Sequence, residues 1–382
     1  MNGFSKWPEQ AANLRAAIAI ASEVRRRADR TDRLFDFSPQ ALANLVNGFS
    51  KWPDAADCRE AAVAIAGEVP SQLSNFKPQQ LANLVNGFSK WPDAADCREA
   101  AAAIAAEVPL QLPNFKPQEL ANLVNGFSKW PDAAGCREAA VAIACEVPSQ
   151  LSRFDAQALA SLVNGFSKWP EGAGCREASV GIAWEVPSQL SNFTPQALAS
   201  LVNGFSKWPD AAGCREAAVA IAGEVPSQLT NFAPQELASL VNGFSKWPDA
   251  ADCREAAIAI AGEVPSQLSR FDAQALANLV NGFSKWPDAA ACRKAVVAIA
   301  CEVPSQLSRF APQALASLLN GFNKWPDVAA CREAAVAIAG EVPSQLSNFK
   351  PQELANLVNG FSKWPDAAGC REAAVAIAAL PF

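Results

Sequence analysis

The 382-residue chain has no histidine and no tyrosine. The commonest general base and metal ligand is therefore missing. No apolar run is long enough to span a bilayer. The opening residues, MNGFSKWPEQ, lack the apolar core of a secretory signal. No two cysteines are spaced CxxC, so a zinc site is not expected. An excess of positive charge is lacking as well. Thirty-two Lys and Arg face 38 Asp and Glu, for a formal net charge of -6. That balance argues mildly against a general nucleic-acid binder and leaves room for a local basic stripe. The absences leave no expected cofactor, no metal and no membrane partner.

What is present is repetition. NGFSKWP stands at 2–8 and returns at 47, 86, 125, 164, 203, 242, 281 and 359, with NGFNKWP at 320. From Trp52 to Trp364 every step is 39 residues, whereas Trp7 to Trp52 is 45. A fixed period of this length means one array of stacked units rather than two or three globular domains. The full units are 38–76, 77–115, 116–154, 155–193, 194–232, 233–271, 272–310 and 311–349. They are flanked by a partial copy with six extra residues at 1–37 and a shortened copy at 350–382.

Each unit predicts two helices. In FKPQQLANLVNGFSKW, residues 76–91, Pro78 suits the first helical position, and Phe76 and Leu81 are placed as a hydrophobic staple. Leu81, Leu84, Val85 and Phe88 recur at i, i+3, i+4 and i+7, and Trp91 extends their face to an expected helix end at Pro92. Ser38, Asp155, Thr194 and Asp272 are good N-caps, while Lys77 and Ala233 are poorer ones. Asp93 is placed to cap the second helix, which runs to Val108. There Cys97, Ala101, Ile104 and Val108 form an apolar stripe, and Ala100, Ala103 and Ala106 let neighbours approach closely. Two such helices bury too little surface alone, and stacking supplies the rest. The expected fold is all-α: an α-solenoid of tandem 39-residue, two-helix, HEAT- or armadillo-like repeats. Phe and Trp then recur because every repeat has the same core to fill. Gly48 and its equivalents mark either a close helix approach or a local kink.

Nine of the eleven cysteines, Cys58 to Cys370, hold the same place in each repeat. Stacked helices lie about 8–10 Å apart, too far for a disulfide between in-register neighbours. They read as small buried thiols, with Cys145 and Cys301 as extras at Gly67-type positions, and a reducing compartment fits them.

Asn and Lys are not needed for the core. Asn44, Asn47 and Lys51 follow i, i+3 and i+7 and are expected on one polar stripe of the first helix. The amide row is Asn47, Asn86, Asn125, Asn164, Asn203, Asn242, Asn281, Asn320 and Asn359. The ammonium row is Lys51, Lys90, Lys129, Lys168, Lys207, Lys246, Lys285, Lys324 and Lys363. The amides suit either a hydrogen-bonded ladder that registers the repeats or a surface that holds an extended chain. The lysines form either a solvated face, partly neutralised by acids such as Asp54, or part of that surface. The third row varies: Asn44, Asn83, Asn122, Ser161, Ser200, Ser239, Asn278, Ser317 and Asn356. Variation amid near-identical copies is either a readout or drift.

The copy at 155–193 is irregular, with Gly172, Ser179, Gly181 and Trp184 where most copies have Ala, Ala, Ala and Gly. Glycines weaken its second helix. Trp184 on the outer edge is either a contact anchor or rests on the following turn. RRRADRTDR at 25–33 reads as a charged, solvated loop.

SKWP, repeated through an Ala- and Leu-rich helical array, resembles the SKWP-repeat type III effectors of plant-pathogenic bacteria such as Ralstonia and Xanthomonas. The resemblance spans essentially the whole chain. It implies secretion by a type III system into a host plant cell and supplies no biochemical activity. Members are generally much longer, so the chain reads as a fragment or a shortened member. LANLVNGFSKW is also similar, more weakly, to the first helix of octotricopeptide repeats, which are associated with RNA. Armadillo proteins offer an analogy in their Asn rows, which hold extended peptides.

The expected function is a non-enzymatic binding scaffold that engages a host macromolecule, a protein or extended peptide before all. The alternative is a modular single-stranded RNA binder that uses the Asn/Lys stripe. An enzyme is not expected, because nearly every polar residue recurs about nine times and a catalytic centre needs a unique convergent cluster. Apolar ends of the array predict self-association or truncation from a longer one.

Overall fold

A computed structural model describes residue 9, residues 11–28 and residues 34–379. The first NGFSKWP, at 2–8, lies outside the described residues. Among those described, the regular elements are nineteen α-helices joined by short 3-10 segments, with no strand. The chain forms two compact units, Met1–Ile182 and Ala183–Phe382. The expected all-α solenoid is the fold observed.

In the first unit, the first helices of successive repeats are Pro39–Phe49, Pro78–Phe88, Pro117–Phe127 and Ala156–Phe166. The second helices are Ala11–Ala28, Ala56–Glu68, Ala95–Glu107 and Ala134–Glu146, and Ala173–Glu185 runs across the unit boundary. The second unit repeats the pattern, from Pro195–Phe205 and Ala212–Glu224 to Pro351–Phe361 and Ala368–Ala378. Within each unit, first helix packs on first helix and second on second.

Two devices start the first helices. Ser38, Asp155, Thr194 and Asp272 accept the backbone N–H of Ala41, Ala158, Ala197 and Ala275, at 3.2, 2.7, 3.2 and 2.7 Å. Where the cap residue is Lys77, Lys116, Ala233 or Lys350, the third helical residue takes over. Gln80, Glu119, Glu236 and Glu353 reach back and accept the cap residue's own N–H at 2.7–2.9 Å. A good cap is thus paired with Ala at the third position and a poor cap with Gln or Glu, so that an N–H at the helix end is satisfied either way; the exception is Ala311, followed by Ala314, where neither device is present.

The first helix stops sooner than its sequence suggests. It ends at Phe88, three residues before Trp91. The Ser89 hydroxyl donates to the Asn86 carbonyl at 2.7 Å, occupying the acceptor that an α-helix would offer to Lys90 N–H. Lys90 N–H turns to Gly87 O and Trp91 N–H to Phe88 O, both three residues back. The tightened turn lays Trp91 into the core, where it is buried. Asp93 does not cap the second helix. Its N-cap is Ala94, with no side-chain cap.

Leu81, Leu84, Val85 and Phe88 are fully buried. Burying each contributes about 1.5–3 kcal/mol, and most of the cover comes from the neighbouring repeats. The glycine of the motif reports a close approach. A Cβ on Gly87 would lie 2.5 Å from Val46 Cγ1 and 3.3 Å from the Val46 carbonyl. Gly126 and Gly165 meet Val85 and Val124 in the same way, as do Gly243, Gly282 and Gly321 with Val202, Val241 and Val280 in the second unit. The tightest contact therefore runs between first helices, not between the Ala-rich second ones. On the second helix, Ala105 is buried beside Cys97, Ala100, Ala101 and Ile104, and Ala106 faces outward.

The tryptophan has a second role that spacing did not reveal. The Trp91 indole N–H donates to the carbonyl of Pro53, one repeat earlier, at 2.9 Å. Trp130 does the same to Pro92 and Trp169 to Pro131. In the second unit Trp247, Trp286 and Trp325 bond to Pro209, Pro248 and Pro287. The SKWP tetrapeptide thus holds donor and acceptor of one inter-repeat bond.

The insertion at 25–33 is not wholly a loop. Residues 25–28 end the helix Ala11–Ala28, with Arg25 bonded to Glu60 at 2.5 Å and Arg26 and Arg27 paired with Glu23. Residues 29–33 lie outside the described ones. In the irregular copy, Gly172 precedes the second helix rather than lying inside it, and Ser179 is buried with its hydroxyl unpartnered.

Candidate ligand-binding stripe

Each repeat presents an edge built from the polar side of its first helix and the turn that follows. Asn44 and Asn47 lie on the helix and are half-buried. Lys51 stands two residues beyond the helix end, because the turn has tightened. The three residues therefore do not share one helical face. The lysine is exposed on the turn.

The amide row forms no continuous ladder. Among the described residues one inter-repeat step is bonded, Asn281 Nδ2 to Asn242 Oδ1 at 3.2 Å. The side-chain amides of Asn86, Asn125, Asn203 and Asn320 make no hydrogen bond to protein, although they are half-buried. Register is set instead by the Trp–Pro bonds.

Charge is distributed unevenly between two rows. Arg59 donates to Asp93 of the next repeat at 2.5 Å, and Arg98 to Asp132 at 2.7 Å. Arg215–Asp249 and Arg254–Asp288 follow at 2.7 and 2.6 Å, and Arg293 pairs with Asp327. These hydrogen bonds hold the Asp93, Asp132, Asp249 and Asp288 carboxyls below the usual value. Asp93, Asp132, Asp249, Asp288 and Asp327 are thereby committed to arginines rather than to their lysines, whereas Glu171 stands at this place in one copy and Arg332 reaches the backbone carbonyl of Asp366 instead of its carboxylate. No carboxylate comes within 4.0 Å of the ammonium of Lys51, Lys90, Lys129, Lys207, Lys246, Lys285, Lys324 or Lys363 among the described residues. Lys90 feels its neighbours: its pKa is lowered, first by partial burial and then by the like charges of Lys129 and Lys51.

The variable row gains a partner that the motif did not suggest. Gln40 Nε2 donates to Asn44 Oδ1 at 3.0 Å. Gln118 does so to Asn122, Gln274 to Asn278 and Gln352 to Asn356, at 3.1–3.3 Å. A glutamine occupies this second helical position in every full repeat, which is the signal that could have revealed it. Serine is held less well: Gln157 reaches Ser161 only at 3.5 Å, and Ser200, Ser239 and Ser317 have no such bond.

Trp184 is 52 % exposed on its helix. Its indole covers Gly213, where a Cβ would lie 3.0 Å from Nε1, so it rests on the start of the next second helix rather than on a turn. The repeated cysteines are buried and free, and burial pushes the Cys97 and Cys136 thiols up to about 12. Cys145 and Cys301 are exposed. Among the described residues no group of three or more His, Cys, Asp or Glu could hold a metal, and no helix is long and apolar enough to cross a membrane.

No protein-family profile matches the chain, and no curated protein does. Among solved structures, the crystal structure of human Puf-A aligns with 94 % of this chain and 99 % of that one, at 9 % identity and a TM-score of 0.20. At that score the likeness carries no conclusion about what this chain does.

Proposed function

We propose that the chain is a helical repeat scaffold that binds single-stranded RNA along the amide and lysine rows. The observation that carries this reading is the set of lysines with no carboxylate partner among the described residues: Lys51, Lys90, Lys129, Lys207, Lys246, Lys285, Lys324 and Lys363. An isolated repeat could pair its lysine with the aspartate three residues on. In five repeats the stack spends that aspartate on the preceding repeat's arginine, and Lys90 is left between the like charges of Lys51 and Lys129. A like-charge row disfavours the fold slightly, and a chain of phosphates relieves it. The same repeats carry Asn86, Asn125, Asn203 and Asn320, whose side-chain amides have no protein partner among the described residues and suit base edges and ribose hydroxyls. Helical repeats can read one base per repeat with two or three side chains. The net charge of -6 does not oppose this, because Asp93, Asp132, Asp249, Asp288 and Asp327 are each paired with an arginine.

The test is fluorescence anisotropy with a degenerate single-stranded RNA pool at low and moderate salt. The comparison protein is the full chain with K90A, K129A, K207A and K246A. Micromolar or tighter binding is expected, with the salt slope falling by roughly 0.7 for each lysine removed. No binding at tens of micromolar protein would end this reading.

A protein ligand is the second reading, favoured by a different observation. Leu110 in the first unit and Trp184 in the second are large apolar side chains that are 77 % and 52 % exposed. Loss of a purified protein partner on W184A would support it. The SKWP resemblance adds a proposed setting, delivery by a type III system into a host plant cell. A translocation reporter fused to the chain tests that, and a signal independent of the secretion system would sink it.

A further inference from the structure

The variable row differs between repeats in geometry as well as in residue type. Where it is asparagine, a glutamine one turn earlier occupies the side-chain carbonyl in four of the five copies. With Oδ1 engaged against its own helix, the group left to present is the NH2, a fixed pair of donors. Where the residue is serine, the shorter side chain retreats from that glutamine. It presents a hydroxyl that rotates and can donate or accept. The same scaffold thus offers two chemically distinct groups at one half-buried place in the repeat. Packing does not account for the difference, since Leu84, Leu123, Leu201 and Leu240 behind these positions are equally buried in both kinds of repeat.

We infer that this position selects the base, one nucleotide per repeat, and that the glutamine is a positioning residue that fixes the amide in the asparagine copies. The inference rests on the RNA reading above and deepens it. Asparagine repeats would favour a base edge with an acceptor facing the amide. Serine repeats would tolerate donors as well as acceptors and discriminate less. The sequence of the preferred RNA would follow the order of Asn and Ser along the chain, with the lysines supplying affinity without regard to base.

The experiment is selection from a fully randomised single-stranded RNA pool, read by sequencing, with three forms of the full chain. The first is wild type, the second carries S200N and S239N, and the third carries Q118A. Wild type is expected to show about tenfold preference at the nucleotides facing asparagine repeats. S200N with S239N should create such a preference at two adjacent nucleotides. Q118A should erase it at one while the preferences facing the other asparagine repeats and the melting curve stay as in wild type. Salt-sensitive binding without base preference, or with a preference that neither variant moves, would overturn the inference and leave the RNA reading intact. Absence of salt-sensitive binding to the pool would overturn both.

Discussion

The SKWP lysine and the arginine of the second helix recur in every full repeat, and the two cations meet different surroundings. Arg98 faces Asp132 of the next repeat at 2.7 Å. Lys90, eight residues earlier, faces Lys51 and Lys129. The aspartate is nearer in sequence to a lysine, yet the arginine has it. Asp132 sits just before the N-terminus of its second helix, where the helix dipole favours a carboxylate. The guanidinium comes from the preceding second helix stacked alongside. Lysine stands on the tight turn that follows the first helix. One row of charge is used up in joining repeats, and the other is left available.

Substitutions that separate the two rows sharpen this contrast. The largest effect should come from what aligns both. G126V places a side chain where a Cβ would already lie 2.6 Å from Val85 Cγ1, and should cost about 3 kcal/mol in urea unfolding of the full chain. Unchanged stability would mean that the first helices are not in that contact.

Next in size is W130F, which leaves the Pro92 carbonyl without its indole donor and should cost about 1–3 kcal/mol. The last repeat supplies a control, because the Trp364 indole N–H is buried without a partner. W364F should be neutral or stabilising in the same assay, and equal losses in both variants would show that the hydrogen bond is not the cause.

Removing a lysine should act in the opposite direction. Lys90 has a lowered pKa in the fold, so its charged form is disfavoured there relative to the unfolded chain. Stability should therefore rise as pH climbs through the lowered value toward the ordinary 10.5. K90A should lack that rise while losing RNA affinity, which urea midpoints over an alkaline series would register.

The smallest effect belongs to D132N, since the pair is exposed. Arg98 holds the Asp132 carboxyl below its usual 3.8, so the pair's contribution is complete above that value and lost as pH falls through the lowered one. Wild type and D132N should differ slightly at neutral pH and converge in acid. A gap that widens in acid would contradict the assignment.

Much of this was legible in the residues. The 39-residue period and the apolar face of Leu81, Leu84, Val85 and Phe88 follow from the recurrence of residues along the chain, whereas Gly87 left a close approach or a kink open until its contact with Val46 of the preceding repeat decided it. The cap alternation was legible in principle, because Ser38 with Ala41 and Lys77 with Gln80 lie three residues apart. The position of Lys90 was misjudged for a local reason: the Ser89 hydroxyl takes a carbonyl and ends the helix early.

The sequence by itself determined that the chain stacks two-helix repeats and which side chains fill them, since helical periodicity and side-chain volume are carried by neighbouring residues. Only the tertiary structure decided which charges meet and which stay apart. Trp130 with Pro92, and Arg98 with Asp132, are 38 and 34 residues apart. Identical copies offer each donor several identical acceptors, and only the stacking geometry chooses among them. That choice leaves the lysine row open.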